Sequence, residues 1–399
     1  MKWGHKTLDQ LGEISRGRSK HRPRNDSSLF GGKYPFIQTA NVKAANFYIT
    51  EYDTTYNEKG LAQSKLWKPG TLCITIAANI ADTGILAIDA CFPDSIMGFT
   101  PYDDVSDARF VKYCFDILQQ DCKKISQGTA QDNLSWEKLS TIKFPAPSIE
   151  IQRRIADILS TYDNLIENNQ KQIKLLEEAA QRLYKEWFVD LRFPGYETIP
   201  IVDGVPEGWE LCQVGDVIEF NPKVPLNKER IKQNISMSAL STTSMVLDAD
   251  EFTTTFSNSG SKFQNSDTLL ARITPCLENG KTAFVAGIED DEGAVGSTEF
   301  IVMRSKEINP YMVYLLARDG SFRQSAINSM TGSDGRQRAQ VDKLKVLPYL
   351  KPTGQIMRLF AKYAEPMFIQ IQKKNKQNAR LRQARDRLLP KLMSGELEV

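Results

Sequence analysis

The sequence predicts an α+β protein in which two tandem mixed α/β domains are separated by two long helices pairing as an antiparallel coiled coil. Three observations carry this prediction. A helical stretch, KQIKLLEEAAQRL at 171–183, returns as KQNARLRQARDRL at 376–388. Each copy follows a region of short β-type runs broken by Gly, Asn and Asp turns. The chain's 399 residues also exceed what one hydrophobic core usually serves.

The repeat is extensive. With a shift of 205, Lys138/Lys343, Leu139/Leu344, Pro147/Pro352, Ile151/Ile356, Arg153/Arg358 and Ile166/Ile371 are identical pairs, and six more follow from Lys171/Lys376 to Leu183/Leu388. Upstream, LDQLGEI (8–14) is set against LCQVGDV (211–217), and PGTLCITIA (69–77) against SDTLLARIT (266–274). The expected organisation is a first domain over 1–148, a central helix over 149–190, a connector with the second domain over 191–352, and a distal helix over 353–399. YPFIQTANV (34–42), TLCITIA (71–77), TAFVAGI (282–288) and STEFIVM (297–303) read as strands, and 107–118 and 309–319 as helices. The Pro/Gly-rich stretch 192–209 reads as a connector.

From about Glu150 to Phe188, Ile155, Ile158, Tyr162, Ile166, Leu176, Ala179, Leu183 and Trp187 recur at a 3–4 spacing. The second copy supplies Phe360, Tyr363, Met367, Ile371, Leu381, Ala384, Leu388 and Leu392. A helix of about 38 residues is roughly 57 Å long. Pro366 is expected to kink the second helix or to begin its straight part. The first helix is acidic and the second basic, which favours pairing with each other over self-pairing. Asn169 and Gln172 in one copy, and Lys374 and Gln377 in the other, form a polar centre suited to fixing register.

Composition bounds the function. Lys+Arg number 51 against 49 Asp+Glu, a net charge of +2, so any nucleic-acid role rests on local basic patches. No apolar run reaches a membrane span and MKWGHKTLDQ is not a secretory signal, so a soluble, cytoplasmic protein with no membrane contact is expected. Six scattered cysteines and two histidines give no metal-site spacing, and the cysteines read as reduced structural thiols. PCLENGKT (275–282) approaches a phosphate loop, but Pro275 stands where the first glycine is needed and a strand-like run follows instead of a helix. NPKV (221–224) and NPYM (309–312) lack the second proline of an amino-methyltransferase motif, and GxSxG and HExxH are absent. No catalytic residues are assigned.

What remains is basic and polar loops. SRGRSKHRPRN (15–25) gathers Arg16, Arg18, Lys20, Arg22 and Arg24. Its counterpart, NPKVPLNKERIK (221–232), carries Lys223, Lys228, Arg230 and Lys232. Two basic loops at matching places in two repeats point to phosphate contact, where a single one would read as solvated surface. Before each long helix lie SQGTAQDN (126–133), with Gln127, Gln131 and Asn133, and TGSDGRQR (331–338), with Arg336, Gln337 and Arg338. ARITPCLENGK (271–281) adds Arg272, Asn279 and Lys281. Such side chains read base edges, although turns use them as well.

The C-terminal RDRLLPKLMSGELEV (385–399), with FPAPSIEIQRRIADIL (144–159), LYKEWFVDLRFPG (183–195), DGVPEGWE (203–210) and ARITPCLENGK, resembles the specificity subunits of type I restriction–modification systems. The resemblance implies two target recognition domains, each reading half of a bipartite double-stranded DNA site. It implies a helical spacer that sets the gap and docks two methyltransferase subunits, with restriction/translocase subunits joining through the complex. S-adenosylmethionine and ATP would then belong to partner subunits, with no cofactor and no catalysis in this chain. The competing reading from another class is a coiled-coil scaffold whose globular domains bind proteins.

Overall fold

A computed structural model of the chain describes residues 3–76, 82–126, 136–288, 293–333 and 335–399. It divides into two units, Met1–Asn168 with Asn378–Val399, and Asn169–Gln377, so each unit takes a stretch of both long helices.

Unit 1 is built on five strands: β1 (Gly12–Arg16), β2 (Tyr48–Ile49), β3 (Leu72–Thr75), β4 (Thr83–Leu86) and β5 (Ile96–Pro101), in the order β1-β5-β3-β4-β2. All pairings are antiparallel except β2 with β4. Alternation along β3 sends Leu72 and Ile74 to one face and Cys73 to the other. The first face is covered by helix α1 (Ala108–Ser126), through Phe110, Val111, Cys114 and Phe115, and by the start of helix α2 (Ile149–Tyr184). The second is covered by Trp67 stacked on Phe92, with ring centroids 4.8 Å apart. Both faces are therefore buried, and β3 and β4 are apolar throughout apart from Thr75, Thr83 and Gly84.

Unit 2 repeats the plan. Strands β6 (Ile218–Phe220), β7 (Lys232–Ile235), β8 (Phe252–Thr255), β9 (Ser261–Phe263), β10 (Thr268–Ala271), β11 (Thr282–Phe284), β12 (Ala294–Gly296) and β13 (Phe300–Ser305) form two sheets, β6-β13-β10-β11 and β8-β7-β12-β9. The first has the same order as β1-β5-β3-β4, so TLCITIA and the run around Thr268 hold the same central place. Leu270 and Ile301 pack under helix α3 (Pro310–Arg318), while Leu269 and Val302 face Ile235 and Phe263. A two-stranded ladder closes each unit: Gly4–Lys6 with Phe144–Ala146, and Glu210–Gln213 with Pro348–Lys351.

The structure corrects three sequence expectations here. Thr7 and Gln213 each cap a one-turn helix, Leu8–Leu11 and Val214–Val217, so LDQLGEI matches VGDVIEF rather than LCQVGDV. Residues three apart on a helix look alike, which hides a slip of one turn; Trp3 and Trp209 share the corrected offset. The run 34–42 is a strand only to Phe36, because Asn41 accepts from the Gln38 N–H at 2.8 Å and starts a helix over Thr39–Ala44. The connector holds a small hairpin, Ile201–Val202 with Val205–Pro206, turned at Asp203 and Gly204, both with positive φ.

Helix α2 and helix α4 (Gly354–Ser394) run antiparallel. In unit 1, Ile155, Ala156 and Leu159 share a core with Leu389, Leu392 and Met393. In unit 2, Ile173, Ala180, Tyr184 and Trp187 share one with Ile371, Phe368, Ala364 and Phe360. The seam lies one residue from the predicted positions at several places. Leu159, Ala180, Ala364 and Leu389 are buried, whereas Ile158, Ala179 and Tyr363 are exposed and Leu388 is half-buried. Helix α4 continues through Pro366, which is exposed, as is Lys362, whose carbonyl loses its helical partner there.

The seam is more polar than predicted. Asp163 is buried, pairs with Arg385 and accepts from the Tyr113 hydroxyl at 2.5 Å. Burial opposes the Arg385 charge, but the carboxylates of Asp163 and Asp386 hold its pKa above the usual value. At the expected centre, Asn169 Nδ2 donates to Gln377 Oε1 at 3.3 Å. Gln172 and Lys374 are half-buried, and Asn378, not anticipated, is buried. The buried Glu177 accepts from Ser244 Oγ and the Met245 N–H, both at 2.8 Å, tying helix α2 to the loop after Leu240. Other acids of α2 serve their own surroundings, Asp157 bridging to Arg109 and Glu186 to Arg192.

Two predictions follow from these groups. Arg385→Leu strands a buried carboxylate and is expected to lower unfolding stability by about 3–5 kcal/mol in urea titrations. Adding Asp163→Leu is expected to restore most of that loss. Burial raises the Glu177 pKa above 4.5, so its folded form favours the proton. The stability it contributes is present below about pH 4.5 and is lost as pH rises through the raised value. Wild type should therefore lose stability relative to Glu177→Gln between acid and neutral pH, as read by melting temperature.

Candidate nucleic-acid interface

In unit 1 the predicted basic loop leaves the sheet at Arg16, which pairs with Met97 at the end of β1. Gly17 donates to the Ile96 carbonyl at 2.9 Å and Arg18 N–H to the Phe92 carbonyl at 3.1 Å. A Cβ at Gly17 would meet the Phe92 and Pro93 carbonyls at 2.4 Å, so only glycine lets the loop lie this close. The five basic residues then divide. Arg22 bonds the Ser19 and His21 carbonyls, and Arg24 bonds Asp94 at 2.8 Å, so both brace the loop. Arg16, Arg18 and Lys20 are exposed and make no ion pair with the described residues. His21 lies 2.7 Å from Asp26, whose carboxyl is held down at about 2, chiefly by the Ser28 N–H and hydroxyl and then by His21.

Gln127, Gln131 and Asn133 lie outside the described residues.

In unit 2 the structure joins loops that are far apart in sequence. Asn221, at positive φ, donates its N–H to the Val302 carbonyl at 2.7 Å and accepts the Val302 N–H at 3.0 Å, which fixes where the second basic loop begins. Ile273 bridges to Arg338, and the Thr274 N–H donates to the Gln337 carbonyl at 3.1 Å, joining 271–281 to 331–338. Beside them opens a groove of about 620 Å³ lined by Asn221, Lys223, Lys262, Arg272, Thr298 and Phe300. Lys223 and Arg272, drawn from two separate predicted loops, thus meet at one groove. Arg272 is held by its own backbone, which donates to Glu299 O and accepts from Ala339 N, while its Nε is buried without a partner among the described residues.

The other predicted residues have different roles. Arg338 grips Glu299 through Nε and Nη2, at 2.9 and 2.6 Å, and this lowers the Glu299 pKa while raising its own. Lys281 donates to the Met237 carbonyl at 2.9 Å, and Lys232 is buried with its amine on the Phe256 carbonyl at 3.0 Å. These three cations hold the fold together. Lys228, Arg230, Asn279 and Arg336 are exposed, and Gln337 is half-buried with its carbonyl engaged. Sequence reasoning missed Lys262, which sits in β9 just after a Ser/Gly turn (SNSG) with no neighbouring cation to mark it.

With this geometry in view, three comparisons are informative. Residues 1–178 match the family described as the type I restriction modification DNA specificity domain. The whole chain is 26% identical, over 423 aligned positions, to the type I restriction enzyme MjaIX specificity subunit of Methanocaldococcus jannaschii, of which it covers 94%. The EcoAI specificity subunit of Escherichia coli is 34% identical over 141 residues, 34% of this chain and 23% of that one. Along its whole length the chain is thus similar to type I restriction enzyme specificity subunits.

The fold agrees. The crystal structure of a type I restriction-modification system S subunit from M. genitalium matches with a TM-score of 0.53 at 16% identity, covering 98% of this chain and 96% of that one. In this chain, burial pushes the Cys73 and Cys114 thiols well up, so both remain protonated packing groups. Among the described residues no cluster of three or more His, Cys, Asp or Glu could hold a metal, and no helix is long and apolar enough to cross a membrane.

Arg336→Ala is expected to leave the melting temperature of the chain unchanged, whereas Arg338→Ala should lower it by releasing Glu299 and loosening the joined loops.

Proposed function

We propose that this chain is the DNA-recognition subunit of a type I restriction–modification complex, and that residues 1–148 and 191–352 each read one half of a bipartite site. The observation that carries this reading is the repeat itself: two units of one plan, each with exposed cations at a loop rim, joined to an antiparallel pair of helices. Arg16, Arg18 and Lys20 in the first unit, and Lys223, Lys262, Arg272 and Arg336 in the second, are proposed to hold phosphates. Lys228, Arg230 and Asn279, all exposed, are proposed to add further contacts. Phosphate contacts orient a protein on the duplex, and base-edge contacts then specify sequence.

The helices over 149–190 and 353–399 are proposed to set the spacing between half-sites and to dock two modification subunits. S-adenosylmethionine chemistry would lie in those partners, and ATP-driven steps in restriction subunits. The place of work is the cytoplasm, where such a complex meets the chromosome. The reading as a protein-binding scaffold is not favoured, since the family match covers the recognition domain itself.

The test is to assemble the chain with its modification subunits, map methylated adenines, and measure binding to the deduced duplex. Two half-sites separated by a fixed spacer are expected. Deleting 165–171, about two helical turns, should leave both half-site sequences intact and change or abolish the spacing tolerated. A changed half-site sequence would refute the spacer role. Lys223→Ala should weaken binding to all sequences alike and reduce the slope of log K against log salt by about 0.9.

A further inference from the structure

Next to the cationic groove of unit 2 stands an apolar feature that the packing of the unit does not use. Strands β7 and β8 pair with Lys232 opposite Thr255, and continuing that register by one residue sets Ile231 opposite Phe256. Both are largely exposed, Ile231 at 56% and Phe256 at 60%. An isolated exposed apolar side chain needs no explanation. Two large ones, opposed at the end of a ribbon and followed by SNSGSK, form a small apolar tip in polar surroundings.

The tip is also held still. The buried Lys232 amine donates to the Phe256 carbonyl at 3.0 Å. The Ser257 N–H donates to Thr255 Oγ1 at 3.0 Å, the Ser259 N–H to Ser257 Oγ at 3.1 Å, and Asn258 Nδ2 to the Leu226 carbonyl at 3.0 Å. Gly260 follows at φ +94°, with the Gly296 carbonyl 2.1 Å from where a Cβ would stand. A polar turn locked this tightly fixes the backbone that presents the phenyl ring. Rigid aromatic anchors lose little conformational entropy on binding.

The same segment runs from the tip straight into the groove, since Gly260, Ser261 and Lys262 line it. One short stretch of chain thus offers an apolar knob and, a few residues on, part of a cationic floor. A ligand matching both carries anionic groups close to a flat or methyl-bearing apolar group. Double-stranded DNA does so at every thymine, whose 5-methyl group lies in the major groove between the phosphate strands.

We propose that Phe256, with Ile231 beside it, is a specificity-determining contact that packs on the 5-methyl group of a thymine while Lys223, Lys262 and Arg272 hold neighbouring phosphates. This rests on the DNA-recognition reading above. It makes this open end of the β7–β8 ribbon the part of the second unit that discriminates bases, and the groove the part that grips without discrimination.

The test uses the assembled complex with its modification subunits. Wild type, Phe256→Ala and Lys262→Ala are each offered a randomised duplex library, and the selected sequences are compared. Phe256→Ala is expected to lose a thymine preference at one position of one half-site and to leave the other half-site unchanged. Replacing that thymine by deoxyuridine should weaken wild-type binding about 10-fold and weaken Phe256→Ala no further. Lys262→Ala should weaken every sequence equally and flatten the salt dependence.

Identical base preferences for Phe256→Ala and wild type, with thymine and deoxyuridine bound alike, would overturn the proposal. So would a Phe256→Ala variant that assembles poorly with the modification subunits but keeps its base preference, which would make the tip a protein contact. A wild-type complex with no sequence preference at all would instead overturn the DNA-recognition reading. Phe256 is exposed, so an unchanged melting temperature for the variant separates these outcomes from misfolding.

Discussion

The register of the antiparallel helices rests on buried polar groups that meet specific partners across the pair. Asp163 is matched by Arg385 and Asn169 by Gln377, while Glu177 holds the first helix to Ser244 and the Met245 N–H of the loop after Leu240. Apolar seams tolerate sliding by a turn, because one aliphatic contact resembles the next. A buried carboxylate without its partner does not, since the lost charge-assisted bonds and the desolvation remain uncompensated. The polar layers therefore cost stability and contribute uniqueness of register.

The duplication gives these layers a second consequence. The shift of 205 that relates the helices carries Asp163 onto Phe368 and Arg385 onto Ala180. The layer that is ionic in unit 1 is thus apolar in unit 2, where Ala180 and Phe368 share a core. Two copies of the first helix paired antiparallel would set Asp163 against Ala180, a buried charge with no partner. Two copies of the second would set Arg385 against Phe368. Related helices are in this way made complementary rather than interchangeable, and the overall charge difference between them reinforces the choice.

In the two units, cations are divided between those that brace loops and those left open to solvent. Arg22, Arg24, Lys232, Lys281 and Arg338 hold carbonyls or carboxylates of their own loops. Arg16, Arg18, Lys20, Lys223 and Lys262 face outward. Both sets are needed for a rigid interface, because a flexible loop of free cations loses conformational entropy on binding.

The sequence by itself determined the duplication, the antiparallel pair, the α+β class and the family, because these are written in periodicity and in motifs that survive without tertiary context. It also placed the polar centre at Asn169 and Gln377, since a break in an apolar period is visible locally. It misplaced the upstream repeat by one helical turn and the seam by one residue at several positions, because i, i+3 and i+4 neighbours are alike in pattern. Only the tertiary structure decided which cations are free. Whether Arg338 or Lys223 faces solvent depends on Glu299 and on strand pairing far along the chain, and no local pattern contains that information. The meeting of Lys223, Lys262 and Arg272 at one groove is of the same kind, a product of sheet order and not of spacing.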